Sequence, residues 1–478
     1  VSQVTNMQQM FDDSRVFNKD IGNWNTKNVT NFSYMFTDAD AFDQDLSRWD
    51  TRSATNMRQM FFKCAFTNDG NKPLTSSYYN PSDRDAYISW DTRNVTNFLY
   101  MFGRFQTIDP SPNIDISNWD TSAATDMSLM FYSRDGYLTG SFNHDISTKQ
   151  VTVGAGTALE RTYNAWDVKN VLNFSSMFYN NRHFNQPIGN WQINTGSATD
   201  ITGSVNMASM FYKATAFNQD ISSSIVSVGS KTYRAWDTKS VKRFSRMFYN
   251  TTFNKPIYNW DVTGIDKIHS SNVPNGLIEM FRLSDFNQDI SSSLQTRSET
   301  GQDYIAWDVK NATYFTRMFQ SSAFNKSIQN WNTISGSDFS IMFSNHSTYS
   351  HSLATQSVTI NGETWDSWDV SNSTSDNVSN HGANLSGMFS NITQYKGEGL
   401  SSWNIESASF SNTFANFANF TPNYNDILIS WAAQNPIYTG SIGFGSSKYD
   451  GTPGSAASAS RSQLETSNGW IITDGGPV

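Results

Sequence analysis

Carboxylates recur at two fixed positions of this sequence and are the first side chains to consider for chemistry. One set directly follows a tryptophan: Asp50, Asp91, Asp120, Asp167, Asp237, Asp261, Asp308 and Asp369. The other lies in the phrase Phe-Asn-Gln-Asp-Ile and its variants: Asp20, Asp45, Asp145, Asp220 and Asp289. Calcium takes several carboxylate and carbonyl oxygens, so such columns could bind Ca²⁺ between repeats. We favour the alternative, in which each Asp accepts hydrogen bonds from its own turn, because the Asp recurs along the whole array of repeats.

No other pattern in the chain indicates catalysis. The six histidines have no metal-binding spacing and are expected to be scattered over the surface: His144, His183, His269, His346, His351 and His381. A nucleophile elbow, a phosphate-binding loop and a dinucleotide fingerprint are all missing from the sequence. Paired Asp residues could in principle hydrolyse glycosides, but a carboxylate that recurs thirteen times at two repeat positions indicates a structural role. The sequence therefore predicts no enzyme and no cofactor, with Ca²⁺ as the one candidate ion.

The elements that position these side chains belong to a repeat of about 25 residues. Twelve Met-Phe pairs begin at Met10, Met35, Met60, Met101, Met130, Met177, Met210, Met247, Met280, Met318, Met342 and Met388. Eight of them follow a tryptophan by eleven residues, as Met35 follows Trp24. Self-similarity at a fixed period is typical of solenoids, in which each repeat buries its apolar face only against its neighbours.

Two phrases of the repeat have a local interpretation. The phrase Val-Thr-Asn-Phe-x-x-Met-Phe has apolar residues at helical spacing, with Thr or Asn available as an N-cap. The phrase Phe-Asn-Gln-Asp-Ile alternates apolar and polar residues, as a strand does. We therefore predict an α/β solenoid whose coils each contain a short strand in a parallel sheet and a short helical turn. Residues 1–414 form this solenoid. Residues 415–478 form a small α/β cap, with helices near 424–434 and 453–467 and strands near 441–444 and 470–473.

Inserts in alternate repeats carry the candidate binding surface. They fall mainly between the Phe-Asn-Gln-Asp-Ile phrase and the next tryptophan, around Tyr78–Tyr87, Val151–Tyr163, Ile225–Tyr233 and Leu294–Tyr304. Inserts at one point of a solenoid emerge on one face, often the binding face. Their tyrosines lie among small polar residues, a chemistry suited to recognition and sugar stacking: Tyr78, Tyr79, Tyr87, Tyr163, Tyr233 and Tyr304. The alternative, equally open, is that these side chains pack back onto the solenoid.

Composition narrows the classes of partner. The net charge is −9 and the pI is near 5.1, so nucleic acid is disfavoured because phosphate binding needs a basic face. No apolar stretch is long enough to span a bilayer. Cys64 is the only cysteine, so no internal disulfide can form, and we expect it to be buried. Val1 opens inside a repeat, so we expect preceding sequence to be missing, for which a secretion signal is one candidate.

The repeat resembles a known family. Phrases such as Trp90-Asp91-Thr92-Arg93-Asn94-Val95-Thr96-Asn97-Phe98 and Ala216-Phe217-Asn218-Gln219-Asp220-Ile221-Ser222 are similar to the BspA-like leucine-rich-repeat surface proteins, specifically the group with the Met-Phe "DUF285" repeat. The ending Asn468-Gly469-Trp470-Ile471-Ile472-Thr473-Asp474-Gly475-Gly476 resembles the segment that often follows those repeats. The resemblance covers nearly the whole chain and implies a leucine-rich-repeat-like fold displayed on a cell surface or a virion. The long inserts depart from the family pattern.

These observations predict a non-catalytic extracellular or virion-surface protein with a structural or adhesive role. Its partners would be other protomers of a larger assembly, or surface glycans and receptors. The alternative is a receptor- or glycan-binding module of a phage or virus appendage. The abundant Asn-x-Ser/Thr sequons add little, because the repeat phrase Asn-Val-Thr generates several of them.

Overall fold

The computed structural model describes residues 3–68, 72–83, 85–104, 114–133, 142–193, 204–265, 276–371, 383–410, 414–436, 438 and 440–478. Contacts divide the chain into two compact units. Unit 1 comprises Val1–Ser240 with Thr251–Lys255, and unit 2 comprises Val241–Asn250 with Pro256–Val478. The predicted boundary between residues 414 and 415 lies inside unit 2 and stays a prediction.

Regular elements are short and occupy little of either unit. The strands of unit 1 are β1 Ser77–Tyr79, β2 Tyr87–Ser89, β3 Lys149–Val153, β4 Arg161–Ala165, β5 Val205–Asn206, β6 Ser224–Val228 and β7 Lys231–Ala235. The strands of unit 2 are β8 Val241–Arg243, β9 Ser293–Arg297, β10 Gln302–Ala306, β11 Ser357–Ile360, β12 Glu363–Asp366, β13 Ser441–Gly443 and β14 Ile471–Thr473. Unit 2 also has two α-helices, α1 Thr421–Ala433 and α2 Ala456–Thr466. Single 3₁₀ turns cover Thr238–Ser240 and Leu400–Ser402.

The Met-Phe phrase is a run of turns in which alternate N–H groups have different partners. In the second repeat, the N–H groups of Phe32, Tyr34 and Phe36 donate to carbonyls of the next repeat at 2.8–2.9 Å. Those of Met35 and Thr37 donate to the carbonyl three residues earlier, at 3.2–3.3 Å. Half of the backbone donors therefore close turns and half join one repeat to the next.

This pattern differs from the helical turn predicted from the sequence. In a helix the N–H groups would bond within one segment, and every residue would have a negative φ. Here a residue with a positive φ recurs every fourth position, as at Tyr34 (59°) and Asp38 (53°). The three-residue turns explain why the apolar spacing mimics a helix. The Phe-Asn-Gln-Asp-Ile phrase contains no strand in the described repeats. Parallel pairing occurs instead in the Val-Thr-Asn-Phe phrase, at its Asn. There, isolated bridges join Asn31 to Asn56 and Asn56 to Asn97.

Columns of aromatic rings fill the interior of each unit. The Phe of successive Met-Phe pairs stack almost parallel, with Phe36 and Phe61 centroids 5.6 Å apart and Phe178 and Phe211 centroids 5.5 Å apart in unit 1. In unit 2, Phe281 and Phe319 are 5.9 Å apart. The methionines are also interior: Met35, Met60, Met210, Met247 and Met318 are fully buried. Each ring packs against the next repeat, so the stability of one repeat depends on its neighbours.

The tryptophans form a second set of interior contacts that satisfies their one polar atom. In most repeats the indole Nε1 donates to a Leu or Ile carbonyl of the preceding repeat; Trp90 donates to Leu46 at 2.7 Å, and Trp331 donates to Ile290 at 2.8 Å. Both rings are fully buried. A buried indole needs such a partner, so each tryptophan fixes the spacing and the orientation of two successive repeats.

The C-terminal segment of unit 2 contains the predicted elements with shifted ends. Helix α1 buries Tyr424, Ile427, Leu428 and Trp431, and helix α2 begins at the N-cap Ser455, whose hydroxyl accepts from the Ser458 N–H at 3.2 Å. Strands β13 and β14 pair in parallel, with α2 between them in sequence. Neither helix in the described ranges has the length and apolarity to cross a lipid bilayer.

Candidate functional site on the hairpins

Five antiparallel hairpins leave the repeats at one equivalent point. Hairpins 1, 2 and 3 of unit 1 are β1–β2, β3–β4 and β6–β7, and hairpins 4 and 5 of unit 2 are β9–β10 and β11–β12. The second strand ends one residue before a tryptophan in hairpins 1 to 4 and two residues before it in hairpin 5. Each of these tryptophans has a positive φ of 44–50°: Trp90, Trp166, Trp236, Trp307 and Trp368. That left-handed residue turns the chain back into the repeat, and its N–H donates to the tryptophan carbonyl one repeat earlier, at 3.0 Å from Trp166 to Trp119.

An aromatic residue on the second strand anchors each hairpin. It lies three residues before the left-handed tryptophan, and its polar tip donates to the carbonyl of the residue before the previous tryptophan. Tyr233 donates to Asn190 at 2.7 Å, and Tyr304 donates to Asn259 at 2.7 Å. Tyr163 donates to Asn118 and Tyr87 donates to Arg48. Because the anchor always reaches the same point, the hairpins of one unit share a fixed tilt against their repeats.

Asparagines of the intervening short repeats hold the start of hairpins 1, 2 and 4. The Asn190 side chain donates to the Thr148 carbonyl at 2.7 Å and accepts from the Thr148 N–H at 3.0 Å. Asn330 makes the same pair of bonds with Ser292, at 2.7 and 3.0 Å. The Asn190 side chain thus binds hairpin 2 while its backbone carbonyl binds Tyr233 of hairpin 3. One residue sets the spacing between two hairpins.

Arginines on the hairpins cover one face of the anchoring tyrosines. The Arg161 guanidinium lies 4.3 Å from the Tyr163 ring centroid and ion-pairs with Asp91 and Asp120. The buried Arg297 lies 4.6 Å from the Tyr304 ring and ion-pairs with Asp261 at 2.9 Å. Burial raises the pKa of Tyr163 to about 12 and also raises the pKa of Tyr233. These phenols are withdrawn from water.

The six tyrosines of the predicted binding surface therefore fall into different environments. Tyr87 is buried, Tyr79, Tyr163, Tyr233 and Tyr304 are half-buried, and Tyr78 is exposed. The packing alternative describes the four anchoring tyrosines well, and sugar stacking on their rings would have to compete with these contacts. A residue outside the predicted set, Trp365, anchors hairpin 5 by donating to the Asn330 carbonyl at 3.0 Å. Its signal was present, since it lies three residues before Trp368 as the tyrosines do before theirs.

A groove lies over a short repeat in each unit. Groove A, of about 470 Å³, is in unit 1 and is lined by Ser147, Pro187, Gly189, Asn190, Gln219, Asp220, Ser222, Ser224 and Val226. Groove B, of about 580 Å³, is in unit 2 and is lined by Gln288, Asp289, Ser291, Lys326, Ser327, Gln329, Asn330 and Gln356. Both are lined by the bridging asparagine, Asn190 or Asn330, and both include equivalent repeat positions, such as Asp220 and Asp289.

The chemistry of the two grooves is that of neutral hydrogen bonding. Hydroxyl and amide side chains dominate, with one carboxylate in each and a single Lys in groove B. Asp220 Oδ1 accepts from the Ser222 N–H at 2.9 Å, as Asp289 Oδ1 does from Ser291. Val226 and Pro187 add apolar contact in groove A. Such a lining has the chemistry to bind hydroxyl-rich ligands or a polar protein segment.

The recurring carboxylates are turn caps. Asp50, Asp91 and Asp167 are buried, and each accepts from the N–H two residues later at 3.2–3.4 Å. The Asp20 and Asp45 set makes the same turn at 2.9 Å. No three acidic, His or Cys side chains come together to hold a metal ion within the described ranges.

The histidines are not all on the surface, which corrects the prediction made for them. His183 is exposed and His144 and His351 are half-buried, but His346 is completely buried. It occupies the interior position that Ala39 and Cys64 fill in other repeats, three residues after the Phe of the Met-Phe pair. Cys64 is buried as expected, and burial raises the pKa of its thiol. His269 and His381 lie outside the described residues.

Several sequon asparagines take part in contacts between repeats. The Asn94 amide donates to the Arg52 carbonyl at 2.8 Å, and the Asn311 amide donates to the Thr263 carbonyl at 2.7 Å. These amides stabilise the repeat stack, which agrees with the repeat phrase as the origin of the sequons. Asn372 and Asn377 lie outside the described residues.

Comparison with known proteins identifies the family. A family model described as "Mycoplasma protein of unknown function, DUF285" matches residues 1–84, 73–153, 149–272, 235–356 and 280–431. Comparisons with curated proteins and with solved structures give no significant match. Because the overlapping matches extend from residue 1 to residue 431, the chain belongs to the DUF285 family.

Proposed function

We propose that this chain is a non-catalytic attachment protein, displayed on a cell surface or a virion, whose binding side is the row of hairpins in each unit. Under this proposal the stacked repeats form an α/β solenoid of the leucine-rich-repeat type, as in the BspA-like surface proteins that the sequence resembles. Residues 415–478 cap it. The repeats supply a stiff support, and the hairpins supply the contacts to a larger assembly or to a surface ligand.

The observation that carries the proposal is the way in which the hairpins are held. Five hairpins share one exit point and one anchoring contact, and asparagines such as Asn190 fix neighbouring hairpins at a set spacing. The hairpins are not needed to fill the interior of the repeats, because the columns of aromatic rings already fill it. Loops held on a rigid scaffold are where recognition residues collect.

The outward side of the hairpins supports an interaction role. Paired hydroxyls bridge the strands there: Thr152 with Thr162 and Thr359 with Thr364, both at 2.8 Å. Ile225 of hairpin 3 is 40% exposed and Leu294 of hairpin 4 is 46% exposed, at the same hairpin position. Mixed polar and apolar surface with little charge is suited to contacts with glycans or a second protein.

Blocking both grooves tests the proposal. Ser222→Trp and Ser291→Trp place an indole in grooves A and B at equivalent positions, and each keeps the backbone N–H that the neighbouring Asp accepts from. Ser47→Trp is the matched control, since Ser47 makes the same turn with Asp45 but lines neither groove. The purified chain is tested on immobilised neutral and acidic oligosaccharides, and its self-association is followed by sedimentation velocity.

Saturable glycan binding that the double groove variant loses and the control keeps would support the attachment role with a glycan ligand. This outcome would favour the second candidate function, a receptor- or glycan-binding module. Self-association lost in the same variant would support assembly with other protomers. If the wild-type chain and the groove variant behave identically in both assays, the hairpin side is not the binding side.

A further inference from the structure

Three arginines of unit 2 converge on one buried glutamate. Arg246 Nε lies 2.6 Å from Glu279 Oε2, while Arg282 Nη1 lies 2.9 Å and Arg317 Nη1 lies 3.6 Å from Glu279 Oε1. The Glu279 side chain is only 5% exposed. We call this set of four residues the arginine cluster.

The repeat itself builds the arginine cluster. Arg246, Glu279 and Arg317 are equivalent residues, each directly preceding the Met of a Met-Phe pair in successive repeats, and each has a positive φ of 53–57°. The Arg246 N–H donates to the Ile278 carbonyl, and the Glu279 N–H donates to the Thr316 carbonyl. The backbone therefore stacks the three side chains in register. Arg282 enters from the second residue after the Met of its own repeat and lies 5.3 Å from the Tyr249 ring.

The charges of the arginine cluster do not balance. One carboxylate faces three guanidinium groups, which leaves a local excess of two positive charges in a chain whose net charge is −9. Within the described ranges no second carboxylate lies within 4 Å of these arginines. By contrast, the charges balance where Arg93 and Arg161 pair with Asp91 and Asp120.

The surplus donors are accessible and incompletely used. The side chains of Arg246, Arg282 and Arg317 are 44%, 27% and 40% exposed. The Arg282 Nε is buried and has no hydrogen-bond partner. Guanidinium groups present planar pairs of donors that match the oxygens of carboxylates and sulfates. The three guanidinium groups repel one another, and the single carboxylate offsets only part of this repulsion. Binding an anion would therefore be favourable.

We propose that Arg246, Arg282 and Arg317 form an oxyanion-binding site for a sulfate or carboxylate group, either free in solution or carried by a glycan. The buried Glu279 positions the three guanidiniums and cancels one of their charges, so that the site suits a single anionic group. A polyanion such as nucleic acid is disfavoured because it needs an extended basic surface, and the negative chain repels it beyond the cluster. The inference goes beyond the proposed function, since the arginine cluster includes no residue of the hairpins or the grooves.

Anion titration of the full chain tests the site. Inorganic sulfate, sodium acetate, a singly sulfated disaccharide and an unsulfated uronate disaccharide are titrated by calorimetry at low ionic strength, and single-stranded DNA serves as the polyanion arm. The double variant Arg246→Gln and Arg317→Gln retains the Glu279–Arg282 pair and should weaken binding by about tenfold or more. Glu279→Gln removes the internal carboxylate and should tighten binding several-fold. Arg93→Gln is the control, because Arg93 is equally exposed but paired with Asp91.

The site is established if anion affinity falls in the arginine variant, rises in Glu279→Gln and is unchanged in Arg93→Gln. If the cluster were merely structural, anion affinity would fall in both the arginine and the glutamate variants. Tighter binding of the disaccharides than of the matching free ions would assign the anion to a glycan, and equal binding would assign it to free anions. The proposal is overturned if sulfate and acetate show no saturable binding, if Arg93→Gln loses as much affinity as the double variant, or if DNA binds most tightly. Circular dichroism of each variant excludes unfolding as the cause of lost affinity. The anion titration is independent of the groove experiment, because the groove variants change no residue of the arginine cluster.

Discussion

Acidification should destabilise unit 2 through His346. The side chain is fully buried, and its Nδ1 accepts from the Tyr349 N–H at 3.2 Å, while Nε2 lies 3.3 Å from the Ser322 hydroxyl. Both contacts suit the neutral ring with its proton on Nε2. The adjacent rings of Phe343 and Tyr349 provide no charge to stabilise an imidazolium. Burial therefore lowers the pKa of His346 to about 4 from its ordinary 6.5.

The sign and size of the effect follow from this shift. Because the folded-state pKa is below the unfolded one, the unfolded chain takes up the proton first, and stability falls as the pH drops below 6.5. The loss is complete near pH 4. A shift of this size corresponds to about 3 kcal/mol in full and about 2 kcal/mol at pH 5. Carboxylates with a lowered pKa, such as Asp45 and Asp145, lose their contribution at lower pH, so their effect falls mainly below the range from pH 7 to 5.

Urea unfolding at pH 7 and pH 5, with the fluorescence of the buried tryptophans as the signal, measures this loss. His346→Gln removes the titrating group at nearly constant size. It should cost some stability at both values of pH and reduce the difference between them by about 2 kcal/mol. His183→Gln, at an exposed histidine, is the control and should leave the pH difference unchanged. If the wild type and His346→Gln lose equal stability between pH 7 and 5, the interpretation of His346 as a buried neutral group is wrong.

Three further predictions concern the repeat and its hairpins. Truncating Phe211 to Ala should cost roughly 3–5 kcal/mol, because the ring is fully buried and stacks on Phe178; hydrogen exchange should accelerate in adjacent repeats as well, and normal rates there would contradict mutual stabilisation. Ile341→Asn should stabilise the chain by about 1 kcal/mol in urea unfolding, since a β-branched residue now holds a φ of 61°; destabilisation would show that its side-chain contacts outweigh the strain. Tyr304→Phe should cost about 1 kcal/mol by losing the bond to the Asn259 carbonyl, measured as faster proteolysis of hairpin 4, and unchanged cleavage would mean that the phenol is no anchor.

The repeat period and its main interior residues were available from the sequence alone. From Met35 onward the Met-Phe pairs are buried because they recur at fixed places, and a fixed place in a stack has a fixed environment. The same holds for the repeat tryptophans from Trp49 onward. The Asp after each tryptophan was expected to cap a turn, and Asp50 and Asp91 do so. The helices and strands after residue 415 were also predicted with small errors in their ends. Their patterns are local, so local propensity determines them.

The path of the backbone was decided by the tertiary structure. The spacing of Val29, Phe32, Met35 and Phe36 fits a helix equally well, and only the bonds from Phe32, Tyr34 and Phe36 to the next repeat select the run of turns. The positive φ of residues as different as Tyr34, Leu129 and Ile341 leaves no trace in residue type. Inter-repeat hydrogen bonds impose that conformation, so propensity has no part in it.

The same division applies to the functional residues. The sequence placed the inserts and their tyrosines at one point of the repeat, but which face of each ring meets water depends on partners far away in the chain, such as Asn190 for Tyr233. The arginine cluster could not be predicted from the sequence either, because its members are also distant from one another in the chain. Arg246, Glu279 and Arg317 are more than thirty residues apart in sequence, and in a chain with a net charge of −9 only the stacking of equivalent positions brings three cations to one carboxylate.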